Sequence, residues 1–558
     1  MKRAHSPSSL PPTKVQHSSQ TSDTSFGRRR SLSFDEVFYD ELILVIFSCL
    51  SAGDLCTVQP TNKNWARLSQ DNQLWKALYL AEYGRVRVRM MRSPLAPPVG
   101  QKSRVIKPLP TRAQGVIERG KQEEAVNWKV LFKLGENWRN GRCTVQTFEP
   151  GPTACAVTGD MDPTSSEEDR GPGLILMGDI IVHSPIEPSS PTVRFLALGR
   201  QPHTIRATSC GSEGHARITA FALDQSTPCS HSRHIRLASF LSTGEFSIFS
   251  VDQQSLTASS RVLAYIPSHR IERTVPVTQA AYHHPVLLTL SATFTLCIYD
   301  LSEHGKVKHT QTLSSFTSYP PASIIISPSH GARDVLKVVL VFSVPVYPRH
   351  WSVGVTELLI KLGEDVGGTF TPPTLISTRT VRAHDLPLGW IDEEQFKTAQ
   401  EQWGRKVEKV VDTQTDGKWV VLAPLSASAS SSSPRMNRYT AFSNALQQYR
   451  LTLPSTPSAG TPKLVFVRYL YGPESDIEKI WVADGRCVSL SVDGSIWVWD
   501  LEERPRGTKD SKELTWLEGA QVEIGDDTVW KGRGSVAFDE RKIATVRGAE
   551  VELRRFDV

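Results

Sequence analysis

The sequence predicts a multidomain chain: a small all-α module, then an all-β propeller of about seven irregular blades. Three observations carry this. Residues 40–84 place apolar side chains three and four apart, the period of short amphipathic helices. From Cys143 onward that period almost vanishes, and short β-prone runs alternate with Gly, Asp, Ser and Pro turns. Several of these runs end alike, in apolar or aromatic residues followed by Asp: residues 246–252 (FSIFSVD), 296–300 (LCIYD), 496–500 (IWVWD) and 551–557 (VELRRFD).

Composition sets the outer limits. A length of 558 residues suggests roughly two to four domains. With 39% hydrophobic and 22% charged residues, the make-up is that of an ordinary intracellular protein. No apolar run approaches the roughly 18 residues a membrane span needs, and the opening MKRAHSPSSLPP lacks the apolar centre of a secretory signal. The eight cysteines form no C-x-x-C pair, which points to reduced thiols in the cytoplasm, the nucleus or both.

Residues 1–35 are rich in Ser, Thr and Pro, a disordered composition. Within them, Arg28-Arg29-Arg30-Ser31-Leu32-Ser33 makes Ser31 and Ser33 candidates for a basophilic kinase, since three guanidinium groups would favour an added phosphate. The same arginines also read as a plain basic tail or a nuclear import signal.

Residues 36–84 form the helical module. Leu42, Val45, Ile46, Cys49 and Leu50 lie on one helix face; Ser51, Gly53 and Asp54 break that helix, and Ser51 or Asp54 can cap the next. Leu55, Val58, Trp65 and Leu68 follow, then Leu74, Trp75, Leu78 and Tyr79. Pro60 lacks an amide donor and favours a break in the second helix. About 45 residues is near the lower limit for a self-sufficient core, so the rest of the chain or a partner must complete it. The order of residues resembles the F-box: Glu41-Leu42, Ile46-Phe47 to Leu50, Ser51 to Asp54-Leu55, Trp65, and Leu74-Trp75-Lys76-Ala77-Leu78-Tyr79. The Leu-Pro that usually opens that motif is replaced by Tyr39-Asp40. The resemblance implies binding to a Skp-family adaptor through Leu42, Ile46, Phe47, Leu50, Leu55, Trp65, Leu74 and Trp75. The alternative is a small helical cap on a larger domain.

Residues 85–124 read as a basic, Pro-containing linker. Between Arg85 and Lys121, ten Lys or Arg residues face one acid, a net charge of +9 against +6 for the whole chain. The excess allows binding to an acidic surface or to nucleic acid. Five prolines and the absence of any aromatic residue to stack on bases favour a solvated linker. Residues 125–142 read as a connecting helix ending in Asn137-Trp138-Arg139-Asn140-Gly141-Arg142, which resembles the join between F-box and propeller in proteins that carry both.

Residues 143–558 form the propeller. Gly-His, strands, a Ser-x-Asp-Gly or similar turn, then an aromatic-Asp close is the pattern of a WD-repeat blade. The best copies are residues 214–252, with Gly214-His215, and 477–501; weaker clusters lie near Leu174, Phe195, Val335 and Trp419. The run 534–557 suits a terminal blade shared by the two ends of the domain, which would close the ring. Loop insertions are expected at 158–173, 391–411 and 425–462. The second reads as a helix, with Phe396 and Trp403 on one face packed against the propeller.

Catalytic patterns are missing from the sequence: no P-loop, no Gly-x-Ser-x-Gly elbow, no His-Glu-x-x-His and no kinase set. His283-His284 has no recognisable catalytic partner. Cys229, His231 and His234 have metal-like spacing but no second pair nearby, so a polar loop is the reading. No cofactor, metal or small-molecule substrate is expected. The two resemblances together imply a non-catalytic substrate receptor of a cullin-RING (SCF-type) ubiquitin ligase. Its F-box would hold the adaptor, and through it the cullin and RING subunits; its propeller would hold a protein substrate, phosphorylated or not. Arg233 and Arg236 are eligible phosphate contacts, although the sequence does not say which arginines converge. Two other readings are an F-box scaffold with a non-degradative role and a propeller that binds nucleic acid through the basic linker.

Overall fold

The computed structural model describes residues 34–84, 127–148, 173–185, 191–207, 216–226, 234–267, 275–303, 305–329, 334–347, 349–363, 365–366, 369–385, 389–425, 445–454, 460–502, 516–518, 520–522, 534–548 and 550–557. Ser31, Ser33, Gly214, His215, Cys229, His231, Arg233 and all of the basic linker 85–124 lie outside these residues. The chain divides into two compact units, Met1–Ala77 and Leu78–Val558.

The first unit is built from short helices: α1 (Phe34–Val37), α2 (Asp40–Phe47), α3 (Ala52–Val58), α4 (Lys63–Leu68) and the start of α5 (Asn72–Tyr79). Ser51 caps α3 in a reciprocal box with Asp54: the Ser51 hydroxyl accepts from the Asp54 amide at 3.2 Å, and the Asp54 carboxylate accepts from the Ser51 amide at 3.3 Å. The second helix is split at Pro60. Helix α3 ends at Val58, and α4 restarts behind Asn62, whose side chain accepts from the Trp65 amide at 2.7 Å. Ile43, Phe47, Leu55, Leu68, Leu74 and Trp75 are buried. The Trp75 indole donates to the Ser69 carbonyl at 2.8 Å, so its polar atom is not left unpaired.

The second unit is a ring of seven four-stranded antiparallel blades. Blade 1 comprises Leu174–Met177, Ile180–His183, Thr192–Ala197 and His203–Arg206. Blade 2 is Ile218–Leu223, His234–Leu241, Phe246–Asp252 and Ser260–Tyr265; blade 3 is Val277–His283, Val286–Ser291, Thr295–Asp300 and Lys308–Ser314. Blade 4 has the longest strands, Tyr319–Pro328, Val335–Val346, His350–Lys361 and Thr374–Arg382. Blade 5 is Val410–Thr415, Trp419–Pro424, Leu446–Thr452 and Lys463–Tyr471, extended by Trp516–Glu518 in parallel. Blade 6 is Ile477–Ala483, Arg486–Ser491, Ile496–Asp500 and Ala520–Gln521. In blade 7, Gly534–Phe538, Lys542–Arg547 and Glu550–Arg555 are completed by Thr144–Phe148, with Thr144 opposite Arg555 and Phe148 opposite Val551. This last pairing closes the ring and leaves no open seam.

Turn residues stitch neighbouring blades. Asp224, after the first strand of blade 2, accepts from the His284 amide of blade 3 at 3.0 Å. Asp416 does the same for Gly485 between blades 5 and 6 at 2.8 Å, and Lys542 reaches Asp179 between blades 7 and 1 at 3.0 Å. Each bond satisfies a polar group of a turn while fixing the angle to the next blade.

Helix α6 (Trp128–Asn140) docks on blade 7, and the Asn-Trp-Arg-x-Gly-Arg segment supplies the contacts. Trp138 stacks on Phe556 with ring centroids 3.9 Å apart and 12° between planes, and its indole donates to the Glu540 carbonyl at 2.9 Å. Asn137 donates to the Phe556 carbonyl at 2.7 Å. Gly141 ends the helix at φ +67°, where a Cβ would stand 2.1 Å from the Gln521 carbonyl oxygen, so only glycine fits. On the other side of α6, Tyr83 packs on Phe132 and donates to Glu136 at 2.9 Å.

One buried group sets a pH dependence. His183 in blade 1 is 2% exposed, and neither ring nitrogen has a partner among the described residues. Burial, assisted by Arg194 across the ladder, lowers its pKa from 6.5 to about 4. Unfolding therefore takes up a proton below pH 6.5. This contribution to stability is complete above that value and is lost as pH falls toward 4, by about 2 kcal/mol at pH 5. Urea unfolding at pH 7.5 and 5 checks this: the wild type should lose that increment and His183→Leu should not. Equal losses would remove His183 as the cause.

Candidate functional site

Helix α2 is apolar around most of its circumference (DELILVIF), so two of its faces compete for the interior. Ile43 and Phe47, four apart, win that competition and are 0% and 2% exposed. The remaining apolar row points outward: Leu42 is 50%, Val45 63% and Ile46 44% exposed, and Cys49 continues the row at its end. Spacings of three, four and seven place these four side chains on one side of the helix.

The eight residues assigned from the sequence to adaptor binding thus fall into two groups. Leu42 and Ile46 are exposed and free to meet another surface. Phe47, Leu55, Leu74 and Trp75 are buried within the module, and Leu50 and Trp65 are half-buried. Trp65 stands edge-on to Phe47 at 5.7 Å and to Phe34 at 5.6 Å, which ties α4 to α1 and α2. The buried set shapes the module; the exposed set can make contact.

The rim of this face is polar. Asp40, at the start of α2, pairs with Arg67 of α4 and accepts from Asn64 at 3.2 Å. The Arg67 and Asn64 hydrogen bonds hold the Asp40 carboxyl below the usual carboxylate range. The carboxylates of Asp40 and Glu41 also stand in the first turn of α2, where the helix dipole favours them. An apolar row flanked by charged groups has the anatomy of a protein interface.

On the propeller, Arg236 is occupied: it lies 3.8 Å from Asp224, in the stitch between blades 2 and 3. The paired histidines are structural in setting as well. His283 ends a strand, where burial lowers its pKa below the ordinary imidazole value, and the His284 amide donates to Asp224. Among the described residues, no group of three or more His, Cys, Asp or Glu is placed to hold a metal ion, and no helix is long and apolar enough to cross a membrane. The inserted helix at Glu393–Gly404 forms where its period predicts it, capped by Asp392, but none of its residues is buried, and the expected burial of Phe396 and Trp403 together is replaced by a few contacts at its C-terminal end.

Comparison with known proteins gives two family matches. The F-box-like model matches residues 40–81, and the model described as the β-propeller of F-box protein pof12 matches residues 192–524. Among solved structures, the computationally designed Ika8 protein is similar at 11% identity, over 69% of this chain and 95% of that one, with a TM-score of 0.32. BamB from Moraxella catarrhalis is similar at 8% identity, over 68% and 95%, with a TM-score of 0.30. The WD40 β-propeller domain of Doa1 is similar at 10% identity, over 70% and 94%, with a TM-score of 0.34. No curated protein sequence matches the chain.

Proposed function

Because the chain belongs to the family of F-box protein pof12 β-propellers, we propose that it is the substrate-recognition subunit of a cullin-RING (SCF-type) E3 ubiquitin ligase. The observation that supports this most directly is the outward apolar row of Leu42, Val45, Ile46 and Cys49, on a module that an F-box-like model matches. A Skp-family adaptor covers that row and links the chain to cullin and RING subunits, while the propeller holds a protein substrate. The chain forms no covalent intermediate. Its contribution is proximity: a substrate lysine held beside the charged ubiquitin-conjugating enzyme meets the thioester at high effective concentration.

Reconstitution tests the reading. Full-length chain is mixed with a Skp-family adaptor, a cullin and a RING subunit, and the assembly is followed by size-exclusion chromatography. One stoichiometric complex containing all four is expected. If the adaptor, cullin and RING assemble while the folded chain elutes alone, the receptor role is excluded.

A further inference from the structure

An insertion joins the last strand of blade 4, ending at Arg382, to the first strand of blade 5, starting at Val410. Helix α7 (Glu393–Gly404) carries Phe396, Ala399 and Trp403 on one side. In an ordinary surface helix such a side faces the core. Here Phe396 is 61% and Trp403 37% exposed, and Trp390 in the approach to the helix is 97% exposed. The helix is anchored by a few contacts: Gln402 accepts from the Asp385 amide at 3.2 Å, and the Trp403 ring lies 5.5 Å from His384.

The insertion as a whole carries a net negative charge. Residues 385–409 hold six carboxylates, Asp385, Asp392, Glu393, Glu394, Glu401 and Glu408, against four cations, Lys397, Arg405, Lys406 and Lys409, and the cluster Asp392-Glu393-Glu394 stands at the start of the helix between Trp390 and Phe396. Aromatic faces attract cations through their quadrupole, and carboxylates beside them strengthen the attraction. The site already shows this chemistry on a small scale, since the Lys406 ammonium sits over the Trp403 ring at 4.5 Å from its centroid. An acidic or phosphorylated segment would meet like charge on the same surface.

We infer that this insertion is a docking surface for a lysine- and arginine-rich segment of a protein partner, with Trp390 and Phe396 receiving its cationic and apolar side chains and Glu393 and Glu394 drawing it in. The inference rests on the receptor reading only in calling that partner a substrate.

The test uses the full-length chain as bait for a phage-displayed library of random dodecapeptides, followed by fluorescence anisotropy on the enriched peptides. Enrichment of sequences combining Lys or Arg with apolar residues is expected. Those peptides should bind Phe396→Ala and the Glu393→Gln/Glu394→Gln pair about tenfold more weakly, and added salt should weaken them further. Both variants change exposed side chains, so the fold is not at stake. Enrichment of acidic peptides, no enrichment, or peptides that bind the variants as well as the wild type would each overturn the inference. Adaptor binding is measured on the same preparations. Adaptor binding retained with the peptide result negative removes only this surface, whereas adaptor binding lost with peptides still bound removes the receptor reading and leaves the surface standing.

Discussion

Replacing Leu42 and Ile46 by Asp is expected to abolish adaptor binding, with affinity falling on the order of 100-fold or more, while the module stays folded. Each side chain, covered in a complex, contributes about 1.5–3 kcal/mol; a carboxylate in the same place must instead be stripped of water without a partner, which adds to the loss. Both positions are about half exposed in the free chain, so the substitutions remove little from the interior. Circular dichroism and thermal unfolding should match the wild type, and calorimetric titration of a Skp-family adaptor should show no heat. Trp75→Ala would be a poorer probe. That indole is 2% exposed and bonded to Ser69, and its removal costs about 3–5 kcal/mol in a module with little to spare, so binding would vanish through unfolding. Unchanged affinity in the Leu42 and Ile46 variant would place the adaptor contact elsewhere.

Trp138→Ala should strongly destabilise the closure of the propeller. The side chain is 3% exposed, stacks on Phe556, contacts Phe538 edge-on at 6.0 Å and lies under the Arg486 guanidinium at 4.8 Å. Truncation leaves a cavity at the foot of the closing blade and should cost about 3–5 kcal/mol. Trp138→Phe keeps a ring there and loses mainly the hydrogen bond to Glu540, for about 1 kcal/mol. Hydrogen exchange should locate the damage, with amides of Thr144–Phe148 and Glu550–Arg555 losing protection in the alanine variant before those of blades 3 and 4. Equal behaviour of the two variants would mean that the stack contributes nothing to closure.

Much of this architecture was legible in the residues, because local physics dictates it. The caps at Ser51 and Asn62 and the break at Pro60 follow from side-chain and backbone chemistry within a few positions. The aromatic-Asp closes mark third strands of blades 2, 3, 6 and 7, and the helix at Glu393–Gly404 follows from its period. What stayed hidden was decided by contacts distant in sequence. Helix α2 offers two apolar faces, and periodicity cannot tell which one the other helices will cover. The exposure of Phe396 was hidden for the same reason. Trp516–Glu518, pairing in parallel with Tyr469–Tyr471, is too short to carry a strand signal of its own, and its partner lies beyond any local window.

The closing strand also imposes an order of events. Thr144–Phe148 is hydrogen-bonded in its blade only to Glu550–Arg555, so during synthesis it must stay without that partner until translation has passed Arg555. Earlier blades can form on the ribosome, but the ring cannot shut, and the waiting edge is the kind of surface that chaperones hold and aggregates recruit. A transcript cut short anywhere upstream therefore yields a molecule that advertises its own incompleteness to the cell's quality-control machinery.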